Sequence, residues 1–250
     1  MTAAARLMAI WRHPIKAHGR EAIARTDLRA GEALPWDRHW AVAHETARLD
    51  GEAWAPCANF TRGAKAPQLM AIEASLDESA EAVTLTHPAR PDLTFAPDRE
   101  AAAFLDWVAP LMPEGRARPA ALVRAGPRGM TDSPFPSISL NNGASLDALS
   151  DRAGRTLSPH RFRGNLWLDG LHPWEEFDLV GQHIRIGTAV LAVRERIGRC
   201  RATHADPATG RHDTDTLGLL EAGWGHTEFG VYAEVVENGD IAVGDPWSRA

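Results

Sequence analysis

Short apolar runs broken by frequent turn residues extend along the whole chain, and their spacing predicts many strands with a few helices. In the first half, strands are expected over 7–12, 22–28, 39–43, 69–73, 82–86 and 93–95. One helix follows. Asp98 stands where a cap belongs, and Phe104, Leu105, Val108 and Leu111 recur three to four residues apart on one face until Pro110 and Pro113 stop it. The stretch 113–119, with Gly115 and two arginines, reads as a linker, which divides the chain into units at 1–118 and 119–250.

The second half opens with a strand expected over 121–124. A short helix is expected over 145–150, capped by Ser145 and ended by Gly154, and a strand over 165–168. Gly187 and Thr188 form a two-residue turn between strands at 182–186 and 189–197. A helix is expected over 214–222. Phe229, Val231, Ala233 and Val235 then alternate inward, Asn238-Gly239 turns the chain, and Ile241 and Val243 return as a second hairpin. The fold class is mainly β with a few helices (α+β), as two strand-rich, barrel-like units packed together.

Composition narrows the chemistry. The 250 residues are 44% hydrophobic, enough for one large core or two small ones. A net charge of −6 argues against nucleic acid as a partner. No apolar run approaches the roughly 20 residues of a membrane span, and the first twelve residues lack the pattern of a signal peptide, so a cytoplasmic protein without membrane association is expected. The only two cysteines are Cys57 and Cys200, too few for a four-cysteine iron–sulfur cluster.

Cys200 lies at the end of the long strand expected at 189–197, just beyond Gly198 and Arg199, where a side chain can face a cleft. Arg196, Arg199 and Arg201 stand close by, a setting that favours the metal-binding thiolate. Cys57 has no strand leading to it and reads as structural. A zinc site from Cys200, His204 and His212 matches no common structural spacing.

The stretch Arg199-Cys200-Arg201-Ala202-Thr203 with Asp206-Pro207-Ala208-Thr209-Gly210 resembles the cofactor-ligand segment of MOSC domains, found in molybdenum cofactor sulfurases and mitochondrial amidoxime-reducing proteins. Ser133-Pro134-Phe135, Ser145-Leu146-Asp147-Ala148-Leu149, Arg161-Phe162-Arg163-Gly164-Asn165, Trp174-Glu175-Glu176 and Val243-Gly244-Asp245-Pro246 continue the resemblance in order. His13-Pro14-Ile15-Lys16 and Asp37-Arg38-His39-Trp40 resemble the N-terminal β-barrel domain that precedes it. Nearly the whole chain is covered. One departure is Ala17, where the family often carries a hydroxyl residue.

The resemblance implies that Cys200 ligates the metal of a molybdenum cofactor (Mo-molybdopterin). Lys16, Arg38 and Arg163 would hold its phosphate and pterin, and Ser133 and Asn165 would hydrogen-bond it. It further implies an oxidoreductase that reduces N-hydroxylated small molecules by oxygen-atom transfer. Electrons would come from a separate reductase, a flavin or iron–sulfur protein. Asp206 and His204, near the ligand, are the candidates for a general acid. The alternative is a carrier that holds cofactor or sulfur on Cys200 without turnover.

Overall fold

A computed structural model describes residues 5–50 and 54–250. The first four residues, where a leader segment would begin, lie outside the described residues. Among the described residues fifteen strands are formed: β1 (Leu7–Arg12), β2 (Glu21–Ile23), β3 (Arg25–Leu28), β4 (Trp40–His44), β5 (Glu73–Asp77), β6 (Ala82–His87), β7 (Arg90–Phe95), β8 (Pro119–Arg124), β9 (Ile138–Asn142), β10 (Leu166–Leu168), β11 (His183–Ile186), β12 (Ala189–Gly198), β13 (Glu228–Glu237), β14 (Gly239–Ala242) and β15 (Trp247–Arg249). Three α-helices accompany them among the same residues, α1 (Ala101–Val108), α2 (Gly143–Ala153) and α3 (Thr216–Trp224). The class is mainly β with a few helices, as expected, and no sheet closes into a barrel among the described residues.

An eight-stranded sheet runs in the order β15-β11-β12-β13-β9-β10-β1-β2. All its pairings are antiparallel except β9 with β10. Its buried face gathers Leu7, Ile10, Leu140, Leu166, Leu191, Val231 and Val235 into one core. A second core lies between α1 and the strands β4, β6 and β7, with Trp40, Val83, Leu85, Phe95, Phe104 and Val108. Strands cross the expected boundary. β1 pairs with β10, β3 with β14, and β4 with β8. The stretch read as a linker thus runs straight into a strand of the first unit.

Several local expectations change, each for a tertiary reason. The closing hairpin does not form. Both edges of β13 are already taken, by β12 and β9, so β14 has no ladder to join there and pairs with β3 instead. At Gly239 a Cβ would lie 2.3 Å from the Ala189 nitrogen, so only glycine lets the backbones pass. The strand expected over 22–28 breaks at Ala24 because β2 and β3 serve different partners. The strand expected at 69–73 is instead a short 3-10 turn, Pro67–Ala71, ahead of β5. Asp98 does not cap α1; it accepts from Trp40 Nε1 at 2.9 Å and pairs with Arg124. Asn142 caps α2 by accepting from Ala144 N at 3.0 Å, while the expected cap, Ser145, is buried and donates to Glu176 at 2.8 Å. Gly154 ends α2 in the left-handed conformation, as read from the sequence.

Candidate functional site

Several separate segments, four of them described in turn, meet at one cavity of about 280 Å³, lined by Lys16, Arg38, Cys57, Arg62, Asp132, Arg163, Arg199, Cys200 and Tyr232, among others. The first segment is the turn after β1. It is fastened to the approach to β4 by Arg38 N to His13 O (2.7 Å), Lys16 N to Trp40 O (2.8 Å) and Trp40 N to Pro14 O (3.1 Å). This clamp fixes the relative positions of Lys16 and Arg38. Beneath it, Asp37 accepts the His13 backbone N–H at 2.7 Å, lies 3.1 Å from His13 Nδ1 and pairs with Arg38. Burial opposes ionisation of Asp37, but Arg38 and the His13 hydrogen bonds outweigh it and hold the carboxyl well below its ordinary range. The His13 ring is pushed down to about 3, chiefly by burial and then by Arg163, so it stays neutral at pH 7.

The second segment, 161–165, begins inside the short turn Pro159–Phe162, whose end at Arg163 is left-handed, with φ of 47°. A Cβ on Gly164 would lie 2.0 Å from the Asn141 amide nitrogen, so glycine is required for this chain to lie against β9. The third segment is the end of β12. Cys200 stands two residues beyond it, exposed, at the start of the turn Arg201–His204. Arg199 is anchored behind it, donating to Phe229 O from Nε (2.8 Å), to Phe162 O (2.8 Å) and to Asn141 Oδ1 (3.1 Å). Its guanidinium also lies 5.5 Å from the centre of the Phe162 ring. The fourth segment, 130–132, supplies Met130 O, which accepts from Lys16 Nζ at 2.7 Å, and Asp132, which pairs with the same ammonium.

The electrostatics are uneven. Lys16 and Arg38 each have a carboxylate partner. Among the described residues, Arg163 and Arg199 have none: Arg163 donates to Gly19 O at 3.1 Å, and Arg199 binds only carbonyl and amide oxygens. Burial pushes Arg163 down to about 9, with nearby Arg38 adding to the effect, and pushes Arg199 down to about 10. Both remain charged at neutral pH, at an electrostatic cost that an anion in the cavity would relieve. Tyr232 is pushed up to about 12 by burial, with Asp132 beside it.

Residues expected at the site divide into two groups. Lys16, Arg38, Arg163 and Cys200 line the cavity. Asn165 lies behind it, accepting from Ser139 Oγ at 2.9 Å and donating to Trp11 O at 3.1 Å. Ser133 is buried in its own turn, donating to Phe135 O at 2.7 Å, and does not line the cavity. His204 and Asp206 are not brought there either. The turn after Cys200 carries His204 to Asp215, 3.2 Å away. Asp206 closes its own loop by accepting from Ala208 N at 3.0 Å and Thr209 Oγ1 at 3.2 Å. Of the three arginines flanking Cys200, only Arg199 lines the cavity, and Arg196 instead sits 4.3 Å from the Phe177 ring centre. No three His, Cys, Asp or Glu side chains converge on a metal position among the described residues, so the zinc arrangement of Cys200, His204 and His212 is not assembled.

Several cavity residues lie outside the site expected from the sequence, Cys57, Asp132 and Tyr232 among them. Cys57, expected to be structural, faces the cavity with Arg62 Nη1 3.5 Å from its sulfur. Asp132 stands one position before Ser133. Tyr232 had a signal: it lies between inward-facing Val231 and Ala233, so strand alternation turns it away from the core.

Two family models match the chain. The family described as the MOSC N-terminal beta barrel domain matches residues 4–109, and the MOSC domain matches residues 130–248. Among solved structures, the YUAD protein from Bacillus subtilis is 12% identical over 98% of this chain and 94% of its own, with a TM-score of 0.49. YiiM from Geobacillus stearothermophilus is 21% identical over 45% of this chain, with a TM-score of 0.36, and the match spans about half (53%) of its length. Among curated proteins no sequence matches.

Proposed function

We propose, starting from the fact that this chain belongs to the MOSC-domain family, that its cavity holds a molybdenum cofactor with Cys200 as the protein's ligand to the metal. The family is associated with molybdenum cofactor binding or sulfurase-like function. One observation carries the reading furthest: an exposed thiol stands on a cavity whose guanidiniums Arg163 and Arg199 lack carboxylate partners among the described residues. The donor set fits the group. A soft thiolate suits a metal already held by sulfur ligands, and a phosphate suits planar guanidinium donors.

Lys16, Arg38 and Arg163 hold the phosphate and pterin in this reading, and Arg199 fixes the strand end that presents Cys200. Asn165 and Ser133 act from behind the wall, by shaping the backbone that carries Arg163 and Asp132. When bound, the cofactor supplies two-electron oxygen-atom chemistry, and the protein supplies orientation and a site of controlled access. The substrates are N-hydroxylated small molecules, and a separate reductase delivers the electrons. His204 and Asp206 have no part at the reacting atoms, because neither lines the cavity.

The second reading is a carrier for cofactor or sulfur on the same cysteine, within the family's sulfurase-like association. One assay separates the two. Protein purified from a cofactor-competent host is given a chemical donor such as reduced viologen and an N-hydroxylated substrate. Turnover that disappears in Cys200→Ser supports the reductase; cofactor or sulfur handed to an acceptor enzyme without turnover supports the carrier.

A further inference from the structure

The ammonium of Lys16 is almost fully enclosed, with 5% side-chain exposure, whereas its partner Asp132 is 54% exposed. Burial lowers Lys16 from its ordinary range, and Asp132 opposes that. An enclosed ammonium without a counter-charge is costly, so the ligand-free site needs an anion of its own. The other carboxylate nearby, Asp37, has no side-chain exposure and is committed to Arg38 and His13. Asp132 therefore neutralises Lys16 from a loop that borders solvent. Lys16 also donates to Met130 O, a bond that survives if Asp132 turns outward.

We propose that Asp132 is a specificity-determining residue of the cofactor site. It occupies the anion position on Lys16 until a ligand phosphate displaces it, so that only a strongly charged anion is admitted. This rests on the cofactor reading above and adds to it the residue that selects the charge of the ligand. A chloride or a carboxylate carries no more charge than Asp132 itself and competes against a tethered rival. A phosphate monoester carries close to two negative charges at neutral pH and three acceptor oxygens, enough to engage Lys16 together with Arg38 and Arg163. Burial opposes ionisation of Asp132, yet Lys16, with Arg38 and Arg163, outweighs it and holds the carboxyl below its ordinary range, so the rival is charged at neutral pH.

The test uses the full chain without metal and inorganic phosphate as the probe. Thermal-shift titrations at constant ionic strength give apparent affinities for wild type, Asp132→Asn, Lys16→Met and the double variant. Asparagine keeps an acceptor for Lys16, and Asp132→Ser is a second variant should the first fold poorly. Asp132→Asn is expected to bind phosphate about tenfold more tightly, and that gain is expected to vanish in the Lys16→Met background. Chloride, too weak to displace Asp132 in the wild type, is expected to bind measurably in Asp132→Asn because its rival is gone. An unchanged affinity in Asp132→Asn, or an equal gain without Lys16, overturns the role of Asp132 while leaving the cofactor reading in place. Absence of phosphate binding in every variant, wild type included, overturns the anion site and this proposal together.

Discussion

The segment from Trp36 to Trp40 contributes to two hollows that treat their arginines differently. Arg38 faces the 280 Å³ cavity with Arg163 and Arg199. Trp36 and His39 face an outer cleft of about 600 Å³ lined also by Arg25, Arg29 and Arg124. In the cleft, Arg124 is satisfied twice over, by Glu81 at 2.8 Å and by Asp98. Arg25 and Arg29 are exposed, and water solvates them. In the cavity, Arg163 and Arg199 are part-buried and, among the described residues, hydrogen-bond to neutral oxygens alone. An exposed cation needs no partner, whereas an enclosed one without a partner carries an unmet charge. The larger hollow is thus electrostatically complete, and the smaller one is electrostatically unfinished.

Breaking the pair that is complete inside the cavity wall should cost most. Asp37→Asn strips the enclosed carboxylate from Arg38 and His13 and is expected to destabilise the protein by about 3–5 kcal/mol, read from denaturant unfolding. Arg163→Met should act in the opposite sense. It removes a cation that burial penalises, so the metal-free protein should gain about 1–2 kcal/mol, while phosphate affinity falls by roughly 10- to 100-fold. A metal-free variant that loses stability would show that Arg163 is satisfied after all.

Acid should weaken the region behind the cavity. Burial pushes His18 down to about 4 and His13 to about 3, from an ordinary 6.5. The unfolded chain takes up protons on these rings below pH 6.5, and the folded chain does not until far lower pH. Stability is therefore complete above pH 6.5 and is lost as pH falls toward 4, by on the order of 1–3 kcal/mol per ring. His18→Gln should flatten part of that slope in unfolding measured between pH 7 and 4.5, and an unchanged slope would contradict the assignment. The smallest effect belongs to the cleft. Arg124→Met breaks exposed ion pairs and should cost under about 1 kcal/mol, with no change in phosphate affinity.

How much the sequence foretold follows the range of the interactions. The hairpin β11–β12 was legible because Gly187-Thr188 and the flanking alternation are local. The strand at 239–242 was legible as a strand but not in its partner, since the edges of β13 are filled by strands distant in sequence. The Arg199-Cys200 step was readable because it lies at one strand end. Cys57, Tyr232 and Asp132 reach the same cavity from three other stretches, and no spacing along the chain encodes that meeting. His204 and Asp206 misled for the same reason in reverse. They are neighbours of Cys200 in sequence, but Thr203 N bonds back to Cys200 O at 3.1 Å and the turn carries them away.

The account turns on the sulfur of Cys200, and molybdenum content per chain is its most direct test. Wild-type protein from a cofactor-competent host should carry close to one molybdenum per chain by elemental analysis. Cys200→Ser should carry almost none and melt at the temperature of metal-free wild type, while Cys57→Ser keeps its metal. Retention of molybdenum at the wild-type ratio in Cys200→Ser would contradict the ligand assignment.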